Sequence, residues 1–411
     1  MSALEHQPRL PDLPVRRVQD MGLKELERIR LILRGGSVIE WRRLHFRTRD
    51  EVDRFLRLCQ IDTTRPHDVE WVNTVLADAV EYLRKTFDYR VAEPVAHPAE
   101  LHDLFLYASG AKEPKKYRKI ACIVLKVMHV IQHIEAKDLY FKIAVSESEL
   151  AQLVTEKVMA FSEEMKAKGF QLVDFADSIK TRESIITKLL AKKESVAAQI
   201  FDRTRFRIIV KERQDILPAL YFLTQRLVPF NFIVPGQTQN SLLRFKDLLQ
   251  DYPHFEKYIR ELHLDKDYED RVEQPGNTFS GSSYRILNFV ADVPVRLDSY
   301  LPPPEKDDRT RKCRIALPMC EFQICDEVQA QMNEQGENSH ERYKQRQRDV
   351  VLKRLSRGLV VPRRRAKPAK PSAPKPPRQS APRPPKPSGP KPAPSRPQAM
   401  RPPRSSPPVK K

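Results

Sequence analysis

Apolar side chains recur every three to four positions through the first third of the chain, as at Leu23, Leu26, Ile29 and Leu33 and again at Val52, Phe55 and Leu56. That spacing lines one face of a helix, so helices are predicted near 23–33 and 52–58 and, by the same pattern, at 71–87, 99–107, 116–134 and 147–168. After Gly169 the period changes. Phe206, Ile208 and Val210 alternate with Arg205, Arg207 and Ile209, which is the two-residue period of a strand with one apolar and one mixed face. A helix at 215–227, a second strand at 229–234, one or two helices within 242–262 interrupted at Pro253, and strands at 284–295 and 314–324 follow. A long, polar helix is predicted over 327–355, and no internal repeat is visible. The order predicts an α+β protein: a mixed β-sheet flanked by helices, preceded by a mainly helical region.

Charge is spread unevenly over this pattern. The 411 residues contain 74 Lys+Arg and 54 Asp+Glu, a net +20. Residues 362–411 hold 15 Lys+Arg, 18 of the 35 prolines and no acid, and 342–361 add seven basic residues against one Asp. The first 341 residues are therefore within one charge of neutrality. This excludes a protein that coats nucleic acid with its whole surface and leaves a near-neutral body with a cationic appendage. The tail has too little apolar surface to offset chain entropy and is expected to be disordered, with polyproline II segments. Its charge suits a nucleic acid or another polyanion, or simply a solubilising extension.

Other signals exclude rather than assign. Among 11 glycines none forms a G-x-G-x-x-G or G-x-x-x-x-G-K run, so a dinucleotide fingerprint and a P-loop are absent. The five cysteines include no C-x-x-C pair, which fits reduced thiols better than a disulfide frame or a zinc site. The most apolar stretch, 120–134, is broken by Lys126, His129 and His133, so no membrane span is expected and a soluble cytoplasmic protein is.

A few groups could carry chemistry. Lys180, Ser184 and Lys188 share one face at the entry of a helix predicted from 181 to 200, which suits a polyphosphate cradle or a solvated Lys-rich face. Asp202 precedes the strand holding Arg205 and Arg207. A carboxylate there suits Mg²⁺, which needs only one or two protein carboxylates, or a surface pair with Arg203 or Arg205. Glu321 and Gln323 project from the polar side of a strand whose other side carries Cys320, Phe322 and Ile324; Glu321 could serve a sugar hydroxyl as base or complete a metal shell, although an exposed sheet face shows the same alternation. Tyr284 and Arg285 follow a Gly- and Ser-containing run. They suit base stacking and a phosphate contact, or a tyrosine that opens a strand as core. His129 and His133, one turn apart without an H-E-x-x-H glutamate, suit helix packing.

Taken in order, these pieces resemble the synthetase domain of the RelA/SpoT-type (p)ppGpp synthetases, a nucleotidyltransferase-like fold. Ile179-Lys180-Thr181-Arg182-Glu183-Ser184-Ile185 with Lys188 is similar to that family's ATP-contacting segment, and Asp202 through Ile209 to its Mg²⁺-binding strand. Ser283-Tyr284-Arg285-Ile286-Leu287-Asn288 is similar to its guanine-stacking segment, Glu321-Phe322-Gln323-Ile324 to its catalytic strand, and His340 with Tyr343-Lys344 to its trailing motif. The resemblance covers about 169–348. It implies a Mg²⁺-dependent pyrophosphokinase acting on ATP and a guanosine nucleotide, with Asp202 and Glu321 catalytic and metal-binding, and Lys180, Ser184, Lys188, Arg207, Tyr284, Arg285, Gln323 and Lys344 binding nucleotide. Four departures mark a diverged bacterial branch: Arg205 replaces a Gly, Asn288 a His, Cys325-Asp326 an Arg-Thr, and Ser178 an Arg. Asp326 is expected to add negative charge where phosphate approaches. The implied division is a helical region at 1–168, the synthetase-like domain at 169–348, the end of a basic helix at 349–361 and the tail at 362–411. A catalytically diverged nucleotide sensor or RNA-associated protein is the alternative.

Overall fold

The helical stripes of the first third each bury their apolar face. The computed structural model describes residues 7–35, 45–191, 204–261, 283–302, 313–335 and 340–356. Helices α1 (Leu23–Arg34), α2 (Arg49–Leu58), α3 (Pro66–Phe87), α4 (Glu93–Ala96), α5 (Leu101–Ser109), α6 (Arg118–Lys142) and α7 (Glu147–Ala167) come first. Their ends carry local signals. Thr48 accepts from the Glu51 N–H to start α2, and Ser146 and Glu149 form a reciprocal capping box at α7. Gly35 closes α1 at φ +58°, and an added Cβ there would lie 2.9 Å from the Thr238 Cβ.

The second part is β1 (Leu172–Ile179), α8 (Arg182–Ala191), β2 (Thr204–Val210), α9 (Ile216–Arg226), β3 (Gln239–Asn240), α10 (Phe245–Gln250), α11 (Glu256–Glu261), β4 (Leu287–Asp292), β5 (Val295–Arg296), β6 (Ile315–Ala316), β7 (Met319–Asp326), α12 (Glu327–Glu334) and α13 (His340–Leu355). One sheet has the order β1-β2-β7-β4-β3, and β5 and β6 form a separate ribbon. β2 runs parallel to β7, whereas the other pairs are antiparallel. The α+β class and the mixed sheet stand as the periodicity predicts.

Strand register divides the sheet into two chemically different faces. Phe206 lies opposite Phe322, and Phe322 opposite Phe289, and the three rings stack with centroids 5.4 Å apart. Each is fully buried, a contribution of roughly 1.5–3 kcal/mol per side chain. With Ile208, Ile324 and Leu287 they join one continuous core that also contains Val72, Leu125, Phe161 and Phe222 of the helices. The other parity places Arg205, Arg207, Glu321, Gln323 and Asn288 together on the opposite face.

A buried ion-pair network fixes the ribbon to α3. Arg296 of β5 donates to both Asp68 carboxylate oxygens, at 2.7 and 2.6 Å, and Asp298 accepts from Arg296 at 2.5 Å and from Arg314 at 2.6 Å. The fork geometry is what makes such a pair tolerable away from water. None of the described helices is long and apolar enough to cross a membrane.

Several predicted elements differ. Strand β1 is absent from the sequence reading, and residues 229–234 form a 3-10 turn at Phe230–Phe232 rather than a strand. The expected strand 314–324 is two, β6 and β7, separated around Pro318, and that at 284–295 is β4 and β5. The helix over 242–262 is α10 and α11 with a 3-10 turn at Pro253–Phe255, as the proline suggested. Helices α12 and α13 replace the single one expected over 327–355, and α6 runs eight residues further than the pattern predicted. The tail, and the part of the 181–200 helix beyond Ala191, lie outside the described residues.

Candidate functional site

The polar face of the sheet has one carboxylate at its centre. Glu321 of β7 is 5% exposed, yet both its oxygens are occupied: Oε2 accepts from Arg205 Nε at 2.7 Å, and Oε1 accepts from Asn288 Nδ2 at 2.7 Å and Gln323 Nε2 at 3.2 Å. Register explains the grouping. Arg205 sits directly opposite Glu321 in the parallel pair, and Asn288 opposite Gln323 in the antiparallel one. Burial raises the Glu321 pKa, but Arg205 foremost, then Lys180 and Asn288, outweigh it and hold the carboxyl below its usual range.

Cations crowd this carboxylate. Lys180 stands between the end of β1 and the start of α8, and burial, then Arg205 and Lys188, push its ammonium down to about 6 against a partial offset from Glu321. Arg207, two positions along β2 from Arg205, pairs with Glu334 at 3.0 Å while remaining half exposed. Tyr284 is half-buried against this cluster, with its hydroxyl raised to about 12, by desolvation first, while Arg205 and Arg207 act in the opposite sense. Tyr343 of α13 also acts on Arg205, and α13 lies on α8, where Arg354 donates to the Leu190 carbonyl at 2.6 Å.

The structure therefore brings together Lys180, Lys188, Arg207, Tyr284, Glu321 and Gln323. Ser184 is in α8, its N–H bonded to the Thr181 hydroxyl at 3.3 Å, and Lys344 is exposed on α13. Arg285 is held through its backbone by Asn333 and donates to the Tyr284 carbonyl at 3.0 Å. Asp202 and Arg203 lie outside the described residues. Asp326 differs from expectation: it is buried, accepts from the Gln329 N–H as the cap of α12 and pairs with Arg213 at 3.1 Å, so its charge is committed away from the polar face. Arg205, read from sequence as a departure and as a possible pair for Asp202, and Asn288, read as a departure, are partners of Glu321 beside Gln323. Parity with Arg207 was the signal available for Arg205, whereas the place of Asn288 depends on the register of β4 on β7.

Arg205, Lys180 and Lys188 lie close together near the one Glu321 carboxylate, while Arg207 pairs with Glu334, and basic groups gathered in this way suit a polyphosphate. Asn288 adds an acceptor, because its buried Oδ1 has no hydrogen-bond partner among the described residues while its Nδ2 is fixed on Glu321. A ligand N–H or O–H bonded there would sit beside the carboxylate. Magnesium needs only one or two protein carboxylates; of the two expected to hold it, Asp202 lies outside the described residues and Glu321 already accepts from Arg205, Asn288 and Gln323.

His133 and His129 serve packing and hydrogen bonding, as their spacing suggested. His133 Nε2 meets Asp292 Oδ2 at 3.2 Å, and the His129 ring lies tilted against that of His133, with centroids 4.2 Å apart, and meets Asn231. All five cysteines are buried and none is in a disulfide.

No protein-family model matches the chain, and no curated protein matches it in sequence. Solved structures do match. The chain is similar to the small alarmone synthetase 2 of Bacillus subtilis, with 16% identity and a TM-score of 0.27 over 50% of this chain and 89% of that one. It is also similar to a GTP pyrophosphokinase family protein from Streptococcus pneumoniae, with 14% identity and a TM-score of 0.26 over 50% and 83%. A third similar structure is the small alarmone synthetase 1 of Bacillus subtilis bound to its product pppGpp, with 15% identity and a TM-score of 0.26 over 50% and 86%.

Proposed function

We propose that the polar face of the sheet binds the polyphosphate of a nucleotide, and that the chain is a transferase related to the (p)ppGpp synthetases, moving a phosphoryl-containing group from ATP to a hydroxyl of a guanosine nucleotide. The observation that carries this reading is the buried Glu321 carboxylate with Arg205 bonded to it and Lys180 beside it, Lys188 next to Lys180 and Arg207 further along the same strand face. Lys180, Lys188 and Arg207 would hold donor phosphates, and Tyr284 would stack on a base. Glu321 would take the proton of the acceptor hydroxyl, positioned by Asn288 Oδ1, so that catalysis is orientation plus charge stabilisation. Magnesium would be carried by Asp202 and would offset phosphate charge when bound.

The test is incubation of the purified protein with ATP, Mg²⁺ and GDP or GTP. A more highly phosphorylated guanosine product is expected, lost in Glu321→Ala and Asp202→Ala; absence of product with every nucleotide acceptor contradicts the transferase reading. A second reading, a nucleotide sensor without turnover, is favoured by the hold of Arg205 on Glu321, since a paired carboxylate is a poor base. ATP binding without product would select it. The basic tail is proposed to engage a polyanion such as nucleic acid. Retention at low salt, compared between the full chain and one ending at Val361, checks this, and unchanged retention refutes it.

A further inference from the structure

The pairing of Arg205 with Glu321 sets a problem for any anion entering this face. The guanidinium is the most direct cation on the carboxylate, at 2.7 Å, and it is also part of the cluster that a phosphate would approach. Its two partners differ in exposure. The Glu321 side chain is 6% exposed and held from the other side by Asn288 and Gln323, whereas that of Arg205 is 30% exposed.

We infer that Arg205 is an exchangeable clasp: it occupies Glu321 in the ligand-free protein and transfers to a phosphate when a nucleotide polyphosphate binds, freeing Glu321 to meet the acceptor hydroxyl. This rests on the nucleotide-binding reading above. A polyphosphate brings several negative charges against the single one of Glu321, so the guanidinium gains more by turning to it, and its planar fork suits phosphate as well as carboxylate. Removing one partner from a buried ion pair is costly when it strands the other. Here it does not, because Asn288 and Gln323 stay on Oε1. Arg205 is thus a positioning residue whose location reports whether donor nucleotide is present.

The experiment is a crystal structure of the full chain with a non-hydrolysable ATP analogue, paired with calorimetric titration of ATP into wild type, Arg205→Gln and Glu321→Gln. The structure is expected to show Arg205 on a phosphate oxygen and more than about 4 Å from Glu321. Glu321→Gln, which releases the clasp beforehand, should bind ATP several-fold more tightly, and Arg205→Gln about tenfold more weakly. Analogue bound on the polar face with the 2.7 Å pair intact overturns the clasp while leaving the nucleotide site standing. So does an affinity of Glu321→Gln within about twofold of wild type. An analogue that does not bind, or binds elsewhere, removes the nucleotide-binding reading and this inference with it.

Discussion

Binding of a polyphosphate to the polar face should draw a proton from solution, and Lys180 is the group that takes it. In the free protein, burial first and then Arg205 and Lys188 push this ammonium down to about 6. At pH 8 about 1% of the side chain is therefore charged. A triphosphate reverses the local field, so the bound amine is protonated and uptake approaches one proton per nucleotide. The affinity follows by linkage. Where the free protein holds Lys180 neutral and the complex holds it charged, the binding constant falls about tenfold per unit rise in pH, so ATP should bind roughly ten times more tightly at pH 7.5 than at pH 8.5. Phosphate ionisation adds little here, because its last pKa lies near 6. The assay is calorimetry at pH 8 in two non-phosphate buffers of different ionisation enthalpy, whose difference gives the protons taken up. Lys180→Arg, charged at every pH used, should abolish the uptake and flatten the pH profile. Uptake below about 0.3 proton in the wild type, or the same uptake in Lys180→Arg, would refute the reasoning.

Other consequences concern stability and titration. Lys157 is buried, donates to the Pro294 carbonyl at 2.5 Å and is pushed down to about 7 by desolvation. Its depressed value means the unfolded chain binds more protons, so its contribution improves as pH rises from 7 toward 10.5. Holding it charged costs on the order of 4 kcal/mol near pH 7, so Lys157→Met should raise the melting temperature at pH 7 and less at pH 9; equal losses at both would contradict this. Gly35→Ala forces a side chain into the left-handed region 2.9 Å from Thr238 and should cost about 2–4 kcal/mol in urea denaturation, against less than about 0.5 if the turn yields. By proton NMR, His129 should stay neutral to about pH 3, because burial and then His133 lower it. His133 should titrate above the usual histidine value, since Asp292 outweighs burial, and Asp292→Asn should bring it down. The stability His133 adds is then complete below the unfolded histidine pKa and is lost as pH rises through its folded value.

How far the sequence carried depends on which interaction sets each element. The stripes of α1, α2, α3 and α7 are local and readable, although α2 and α3 start at Arg49 and Pro66, ahead of the apolar pattern at 52 and 71, because their first turns are polar. β1 was not readable, because Asp174 and Asp177 interrupt the apolar pattern of a strand paired to β2 alone. Phe230, Asn231 and Phe232 are all buried, so they lack the two-sided alternation that separates strand from turn. At the site, period two predicted that Arg205 shares a face with Arg207, and Glu321 with Gln323. It gave no hint that Arg205 and Glu321, 116 positions apart, are paired, since that is a matter of strand order and register. The same applies to Asp326, whose capping of α12 and bond to Arg213 depend on where β7 ends.

The central claim is that the cations on this sheet face hold a nucleotide's phosphates. Its most direct test is calorimetric titration of ATP into the wild type and into a Lys180→Ala, Lys188→Ala double variant of unchanged melting temperature. The account predicts saturable wild-type binding at one site, weakened at least about tenfold in the variant. Equal affinities in the two proteins, or no binding by the wild type, would contradict it.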